Sequence, residues 1–153
     1  MSEQFVFRPA EPGDVADIRD LTRLAYAPWV EVIGREPLPM SADYDAAVQN
    51  HLIELACCDG SLRGLIEMVQ QPACLLIENL AVSPEHQGSG LGSLLLQRAE
   101  NRAAQLGLPL LRLYTNQEFR SNISFYQRFG FVVERTEAFK GGWTVHMSKS
   151  VGE

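Results

Sequence analysis

Apolar residues recur at helical spacing in four stretches of the chain, and these stretches predict its helices. They are residues 12–26, 41–49, 91–106 and 122–129. Pro28 is predicted to interrupt the first helix, so that residues 26–40 form a structured loop or a broken helix. Ser41 or Asp43 is placed to cap the second helix. The third has the clearest apolar stripe, with Glu100 among the residues of its polar face.

Other stretches alternate or run apolar over strand-like lengths and predict a sheet. They are residues 5–8, 51–58, 62–70, 73–82, 110–115, 131–135 and 143–148. Asp59-Gly60 is a hairpin turn signal, which makes the strands on either side of it antiparallel. The helix over 91–106 crosses over between strands 73–82 and 110–115, so these two are predicted to be parallel and close together. The expected fold is therefore α/β, a mixed α+β arrangement with a largely antiparallel sheet of about six or seven strands.

Composition narrows the class of protein. The chain has 153 residues and is 46% hydrophobic, which fits one domain over residues 1–153. A net charge of −6 argues against a nucleic-acid partner, because such binders need a cationic surface. No stretch approaches the length of a membrane span, and the N-terminal segment does not have the pattern of a secretory signal. Three cysteines, two of them adjacent, suit neither disulfides nor a metal site, so we expect a cytoplasmic protein without membrane partners.

A glycine-rich segment joins the most apolar strand to the best helix. It reads Gln87-Gly88-Ser89-Gly90-Leu91-Gly92. First-turn amides of a helix have no intrahelical partner, and glycines let a phosphate approach the backbone, so this segment predicts an anion site. It is not a Walker P-loop, because Ser93 rather than lysine follows Gly92. A dinucleotide fingerprint is also excluded, since the glycine spacing differs and the next strand ends in Tyr114-Thr115 instead of an acidic residue.

Two separate motifs resemble those of the GNAT superfamily of N-acetyltransferases. The first is its acetyl-CoA signature, Gln/Arg-x-x-Gly-x-Gly/Ala, present here as Gln87, Gly90 and Gly92 after a Leu-x-Val-x-Pro strand ending at residues 80–84. The second is an asparagine, a Phe-Tyr pair and Gly-Phe, which stand at Asn122, Phe125-Tyr126 and Gly130-Phe131. The resemblance covers about residues 76–131 and implies an acyl-CoA N-acyltransferase fold, with helices on both faces of the sheet and one splayed parallel pair of strands. It also implies transfer of an acetyl group from acetyl-CoA to a primary amine, by direct attack and without a metal.

The resemblance implies a set of residues that bind acetyl-CoA. They are Leu80, Ala81, Val82, Gln87, Gly88, Ser89, Gly90, Leu91, Gly92, Ser93, Asn122, Phe125, Tyr126 and Arg128. Main-chain groups of Leu80 and Val82 would hold the pantetheine arm, and the glycine-loop amides would hold the pyrophosphate. A main-chain N–H near Leu80 or Ala81 would polarise the acetyl carbonyl. Arg128 either reaches the phosphates or faces solvent.

Catalysis is expected to need an acid and a base. The resemblance places Tyr126 near the sulfur, where a protonated phenol is a suitable acid for the departing thiolate. Glu78 is the only carboxylate of the 73–82 segment and is the first candidate for the base or for a residue that holds a catalytic water. Strand alternation predicts that Glu78 shares a face with Leu80 and Val82. Glu67 is the second candidate.

The acceptor site is the least determined part. The resemblance points to residues 26–40 and to the hairpin near residues 137–143, which carry Tyr26, Trp29, Glu31 and Trp143 as candidate acceptor-binding residues. The three histidines, at positions 51, 86 and 146, have no metal-ligand spacing. Small molecules and peptides both remain possible acceptors, and a homodimer is compatible with the family. Two other functions stay open: an acyl-CoA-binding module without turnover, and a transferase for a larger acyl group.

Overall fold

A seven-stranded sheet forms the centre of the computed structural model, which describes residues 4–152. Its strands are β1 (Val6–Pro9), β2 (Leu52–Cys58), β3 (Ser61–Gln70), β4 (Cys74–Val82), β5 (Leu110–Asn116), β6 (Val132–Phe139) and β7 (Gly142–Ser150). Their order across the sheet is β1-β2-β3-β4-β5-β7-β6. β4 and β5 are parallel, and the other neighbouring pairs are antiparallel. The predicted fold class, including the parallel pair, is confirmed. Residues 1–3 and residue 153 lie outside the described residues. Residues 1–3 begin the N-terminal segment that does not have the pattern of a secretory signal.

Four helices pack against this sheet, each near a predicted position. They are α1 (Val15–Ile33), α2 (Tyr44–Asn50), α3 (Leu91–Gln105) and α4 (Arg120–Phe129). Asp43, one of the two predicted caps, begins α2 by accepting a hydrogen bond from the backbone N–H of Ala46 at 3.1 Å. Both α3 and α4 are followed by a glycine with positive φ, Gly107 at 72° and Gly130 at 115°, where a left-handed backbone ends the helix without strain.

The first helix continues past Pro28, so the predicted break at this position is wrong. Pro28 lies within α1, which ends only at Gly34, where φ is 73°. Proline removes one hydrogen bond to the carbonyl of the residue four positions earlier, which here is Leu24. Leu24 and Pro28 are both exposed, so the carbonyl that loses its partner faces water and the helix continues.

Two apolar cores, one on each face of the sheet, hold the helices in place. α1 and α2 contribute Ile18, Leu21 and Tyr44 to one core. α3 contributes Leu91 and Leu95 to the other, and side chains of α4 pack against it. Helices therefore cover both faces, and the cleft described below lies between β4 and β5.

Glu100 of α3, predicted to face outward, is instead buried, with 8% of its surface exposed. Its Oε2 accepts a hydrogen bond from Lys149 Nζ at 3.0 Å and another from the backbone N–H of Gly152 at 2.7 Å. The charge is buried because β7 brings a cation against the polar edge of α3, a contact that helical periodicity alone does not reveal.

A β-bulge lies in the middle of β4. Glu67 of β3 pairs with Asn79, whereas the next residue, Met68, pairs with Ile77. Glu78 is therefore an extra residue without an opposite partner. Such a residue shifts the alternation of side chains along the rest of the strand.

The bulge corrects the predicted orientation of Glu78. Leu80 and Val82 pack on the α3 face of the sheet. Glu78 lies close enough to Glu67 and Tyr44, which belong to the α1–α2 face, to influence the pKa of both. The prediction that Glu78 shares a face with Leu80 and Val82 is wrong, because strict alternation ends at the bulge.

Candidate functional site

A cleft opens where the two parallel strands part. β4 pairs with β5 from Cys74↔Leu110 to Ile77↔Leu113, and no further register pairs follow among the described residues. β4 nevertheless continues to Val82, held by β3, and β5 continues to Asn116, held by β7. The facing edges of β4 and β5 beyond Ile77 are thus not used by the sheet.

Alternate residues of β4 direct main-chain groups into this cleft. The carbonyl of Leu80 accepts a hydrogen bond from Tyr26 Oη at 3.3 Å, and the carbonyl of Val82 accepts one from the side chain of Gln87 at 3.3 Å. Ser83, one residue on, donates its N–H to Arg63 beside β4. Since successive residues of a strand point their main-chain groups to opposite sides, Leu80 and Val82 face the cleft and Ala81 faces β3. An extended ligand arm can therefore bind along Leu80 and Val82 as an additional strand does.

The glycine loop lies at the start of α3, directly after β4. Gly88 and Gly90 have φ of 82° and 88°, values that glycine adopts without strain. No side chain caps α3, so its first-turn amides remain available for an anion. A Cβ at Gly88 or Gly90 would meet no atom within 4 Å, whereas one at Gly92 would lie 3.1 Å from Cζ of Phe125. The loop thus leaves space for a ligand next to Gly88 and Gly90, while at Gly92 it packs tightly against α4.

A cavity of about 550 Å³ adjoins the cleft and collects most of the chemically important side chains. Asn122 and Tyr126 of α4, one helical turn apart, line it together with Glu78. Phe125 packs between Gly92 and the ring of Tyr126, with the two rings 5.5 Å apart. Burial raises the pKa of Tyr126 to about 12, so its phenol stays protonated at neutral pH.

Two carboxylates line this cavity on neighbouring strands. Glu78 Oε1 accepts a hydrogen bond from Tyr114 Oη at 2.9 Å. Glu67 Oε2 lies 2.6 Å from Nδ1 of His51, and its side chain is 5% exposed. Burial is the main cause that raises the pKa of Glu67, with the charge of Glu78 adding to it, while the contact with His51 lowers it. The structure thus brings together both carboxylates that the sequence singled out.

A polar network covers the α1–α2 side of the cavity. Tyr26 donates to Asn79 Oδ1 at 2.9 Å, and Asn79 donates its amide to the hydroxyl of Tyr44 at 3.2 Å. Burial raises the pKa of Tyr26 well above its usual value and that of Tyr44 to about 12. Asn79 and Tyr44 were missed by sequence reasoning. The signal that could have identified Asn79 is its position as a polar residue in a largely apolar strand.

The remaining predicted residues lie around this centre. Trp29 stacks on Phe119, with ring centroids 4.3 Å apart, and is not among the residues that line the cavity. Glu31 and Trp143 are exposed and also lie outside its lining, as does the exposed Arg128 of α4. Of the four predicted acceptor residues, Tyr26 is the one that lines the cavity.

Two further features were searched for in the described part of the chain. Residues 4–152 contain no group of three or more histidine, cysteine, aspartate or glutamate side chains arranged to hold a metal ion. None of the helices within these residues is both long and apolar enough to cross a membrane.

Comparison with known protein families gives one match that covers most of the chain. The sequence profile described as the acetyltransferase (GNAT) family matches residues 18–131. That stretch begins in α1 and ends after α4, so it includes the cleft, the glycine loop and Tyr126.

A curated relative and two solved structures are also similar. A mycothiol acetyltransferase from Thermobifida fusca (strain YX) is 34% identical over 62 residues, which is 40% of this chain and 19%, about a fifth, of the relative. PaiA N-acetyltransferase from Thermoplasma acidophilum, solved in complex with coenzyme A, superposes with a TM-score of 0.83 at 22% identity and covers 96% of this chain and 99% of its own. A GNAT family acetyltransferase from Elizabethkingia anophelis, solved with acetyl-CoA bound, gives a TM-score of 0.72 at 18% identity, over 95% of this chain and 97% of its own. At 22% and 18% identity, the similarity to these two structures establishes the fold of this chain alone.

Proposed function

This chain belongs to the acetyltransferase (GNAT) family, and we propose that it transfers an acetyl group from acetyl-CoA to a primary amine. The observation that carries the proposal is one arrangement. The glycine loop, the free edge of β4 and the cavity lined by Glu78 and Tyr126 meet at the point where β4 and β5 part.

The residues of the cleft fit a CoA thioester. Amides at the start of α3 offer donors for a diphosphate, and the space outside Gly88 and Gly90 lets it approach. Main-chain groups of Leu80 and Val82 are directed toward the cleft, where a pantetheine arm has amide groups to pair with them. In this proposal a main-chain N–H at Leu80 polarises the acetyl carbonyl, because donors aimed at a developing oxyanion stabilise it.

The proposed chemistry is direct transfer with both substrates bound. Glu78 receives the proton of the acceptor ammonium or holds the water through which that proton leaves, and the amine nitrogen then attacks the acetyl carbon. Tyr126 donates its phenolic proton to the sulfur as the C–S bond breaks. Its raised pKa keeps that proton in place until the thiolate forms.

The cavity favours an acceptor that carries positive charge. Its lining includes four carboxylates, Asp43, Glu67, Glu78 and Glu137, and one arginine, Arg35. Arg35 lies over the ring of Phe139, with its guanidinium carbon 5.6 Å from the ring centroid. An ammonium is the form in which most primary amines approach at neutral pH, and these carboxylates attract it. Tyr26 is the aromatic group that lines this space, and a role for Trp29, Glu31 or Trp143 would require acceptors that extend beyond the cavity.

The proposal is tested by the release of free thiol from acetyl-CoA across a panel of diamines, amino acids, amino sugars and peptides with free N-termini. Binding of acetyl-CoA is measured in parallel by calorimetry. We expect binding together with turnover on at least one cationic amine. Binding without turnover on any amine would indicate an acyl-CoA-binding module, and faster turnover with propionyl-CoA or succinyl-CoA would indicate a larger acyl group. An absence of binding would contradict the proposal itself.

A further inference from the structure

We propose that His51, held by Glu67, takes up the proton that the acceptor amine releases and passes it to solvent. The inference rests on the acetyl transfer proposed above and deepens it, because it identifies the route by which the proton leaves the site. Of the two roles proposed for Glu78 above, this inference selects the one in which Glu78 holds the ammonium and its water, and His51 is the group that receives the proton.

The geometry of the pair resembles that of an oriented base. His51 is the residue directly after α2, and its Nδ1 lies 2.6 Å from Oε2 of Glu67 on β3. An ionised carboxylate can only accept hydrogen bonds, so the hydrogen of the neutral imidazole is on Nδ1 and the lone pair is on Nε2. Nε2 makes no hydrogen bond with residues 4–152, so the atom that can accept a proton remains free to do so.

The position of the pair links the reacting centre with water. Glu67 pairs across the sheet with Asn79, the residue that follows Glu78 in the bulge. His51 and Glu67 both line the cavity that contains Glu78 and Tyr126. The Glu67 side chain is 5% exposed and that of His51 is 31% exposed, so the buried carboxylate fixes the ring while the ring itself reaches solvent.

Other titratable and charged groups around His51 come from every element that borders the cavity. They are Tyr26 of α1, Arg35 after α1, Asp43 and Tyr44 near the start of α2, Glu67 of β3, Glu78 of β4, Tyr114 of β5, Tyr126 of α4, Glu137 of β6 and His146 of β7. Burial raises the pKa of Tyr26, Tyr44 and Tyr114, so these phenols are neutral over the assay range. Of these charged groups, four are carboxylates and one is an arginine. Arg35 is the arginine among the residues that line the cavity, and its guanidinium lies over the ring of Phe139.

The step balances as a proton transfer coupled to acyl transfer. The ammonium, anchored by Glu78, gives a proton to Nε2 of His51 directly or along a bridging water. The nitrogen lone pair then forms the C–N bond, the C–S bond breaks, and its electron pair stays on sulfur, where Tyr126 supplies a proton. As the amide forms, the nitrogen releases its second proton to water, which balances the proton that Tyr126 regains from solvent. His51 releases its proton to bulk water from its exposed edge, and the tyrosine is reprotonated from solvent before the next turnover.

The test compares kcat at saturating amine over pH 5.5 to 9.5 for the wild-type protein and for H51Q, E67Q and H146Q. At saturation kcat reports the groups of the bound complex rather than the ionisation of the free amine. We expect the wild type and H146Q, a matched change of a second histidine of the cavity, to lose rate below neutral pH as a histidine becomes protonated. H51Q should lose this limb and at least about 100-fold in kcat, the low end of the range for a general base. E67Q should keep the limb but lower kcat, because the amide no longer holds the ring in one tautomer and one orientation.

A second measurement tests the contact between His51 and Glu67 without turnover. The nitrogen chemical shifts of the His51 ring, read by NMR, should show the hydrogen on Nδ1 in the wild type and a mixture of tautomers in E67Q, because an amide can both donate and accept. Binding of acetyl-CoA should be unchanged in all three variants. Identical pH profiles for H51Q and the wild type, in an active enzyme, would overturn the inference and leave the proposed acetyl transfer standing. An unchanged ratio of tautomers in E67Q would overturn the positioning role of Glu67. Wild-type protein that acetylates no amine would remove the proposed function, and this inference with it.

Discussion

The phenol of Tyr114 on β5 donates a hydrogen bond to Glu78 Oε1 on β4 at 2.9 Å. Each of these residues directly follows the last paired position of its strand, Leu113 on β5 and Ile77 on β4. A side-chain bond therefore takes the place of the next main-chain bonds at the point where the strands part. It also fixes one oxygen of the carboxylate that lies in the bulge, leaving the other oxygen for the acceptor.

Substitution of Tyr114 with phenylalanine should weaken acceptor use and leave acetyl-CoA binding alone. The variant keeps the ring but removes the donor, so Glu78 is no longer held in one orientation. We expect kcat/KM for the amine to fall about 5-fold, the equivalent of one hydrogen bond of about 1 kcal/mol. Steady-state kinetics with each substrate varied in turn provides the check. An equal rise in the KM for acetyl-CoA would contradict this role and indicate a wider disturbance of the cleft.

Tyr126→Phe should reduce turnover far more than binding. The ring contacts with Phe125 and Phe131 are retained, while the acid that protonates the leaving sulfur is lost. We expect kcat to fall about 100-fold, at the low end for general acid catalysis, with the Kd for acetyl-CoA unchanged in calorimetry. Tyr44→Phe is the matched control, because it removes a second buried phenol of the cavity that is bonded to Pro39 and Asn79. A similar loss in both variants would count against a specific role for Tyr126.

The alkaline side of the pH profile gives a separate check on Tyr126. Its pKa is raised to about 12 by burial, and the acid form is the one that catalysis needs. The reactive form is therefore fully present below pH 11 and is lost only as the pH rises through about 12. We expect kcat at saturating amine to stay flat from pH 8 to pH 10 in a stability-controlled assay. A decline centred near pH 9 would mean that the acid is another group.

The local order of the site could be predicted from the sequence because it depends on neighbours along the chain. Strand, glycine loop and helix follow one another, and Asn122 and Tyr126 are one helical turn apart whatever the rest of the fold does. The bulge at Glu78 could not be predicted, since it is a mismatch of register between β3 and β4 and leaves no mark in the spacing of either strand.

Contacts between distant segments account for the other differences. His51 and Glu67 meet because β2 and β3 pair, and Ile53 lies opposite Glu67 in that register. From the sequence alone, His51 could be identified only as an isolated histidine, because its contact with Glu67 depends on this pairing. The continuation of α1 through Pro28 depends on which side of the helix faces water, and this is settled by its packing on the sheet. Burial of Glu100 likewise depends on Lys149, which is 49 positions away along the chain.

The ion pair between Glu100 and Lys149 should contribute to stability and leave chemistry unaffected. Both side chains are at least nine-tenths buried, so loss of one partner leaves a buried charge without its counterion. Lys149→Met should lower the free energy of unfolding by about 3 kcal/mol in urea titrations, at the low end for a broken buried pair. Arg112→Met serves as the control, because it breaks the more exposed pair with Glu134 and should cost under about 1 kcal/mol. Equal losses in the two variants would mean that burial does not govern the strength of the pair.

A comparison of Gly90→Ala with Gly107→Ala separates backbone strain from loss of the anion site. The two glycines flank the ends of the same helix, α3, with φ of 88° and 72°, and a Cβ at either would meet no atom within 4 Å. Alanine in this left-handed region costs about 1 kcal/mol, so both variants should lose a similar amount of unfolding free energy. Only at Gly90 does the new methyl group occupy the space in front of the first-turn amides, where the diphosphate is proposed to bind. We therefore expect the Kd for acetyl-CoA, measured by calorimetry, to rise at least about 10-fold in Gly90→Ala and to stay within error in Gly107→Ala. If both variants bind acetyl-CoA as the wild type does, the amides at the start of α3 do not hold the diphosphate, and the proposed position of the thioester beside Glu78 and Tyr126 loses its support.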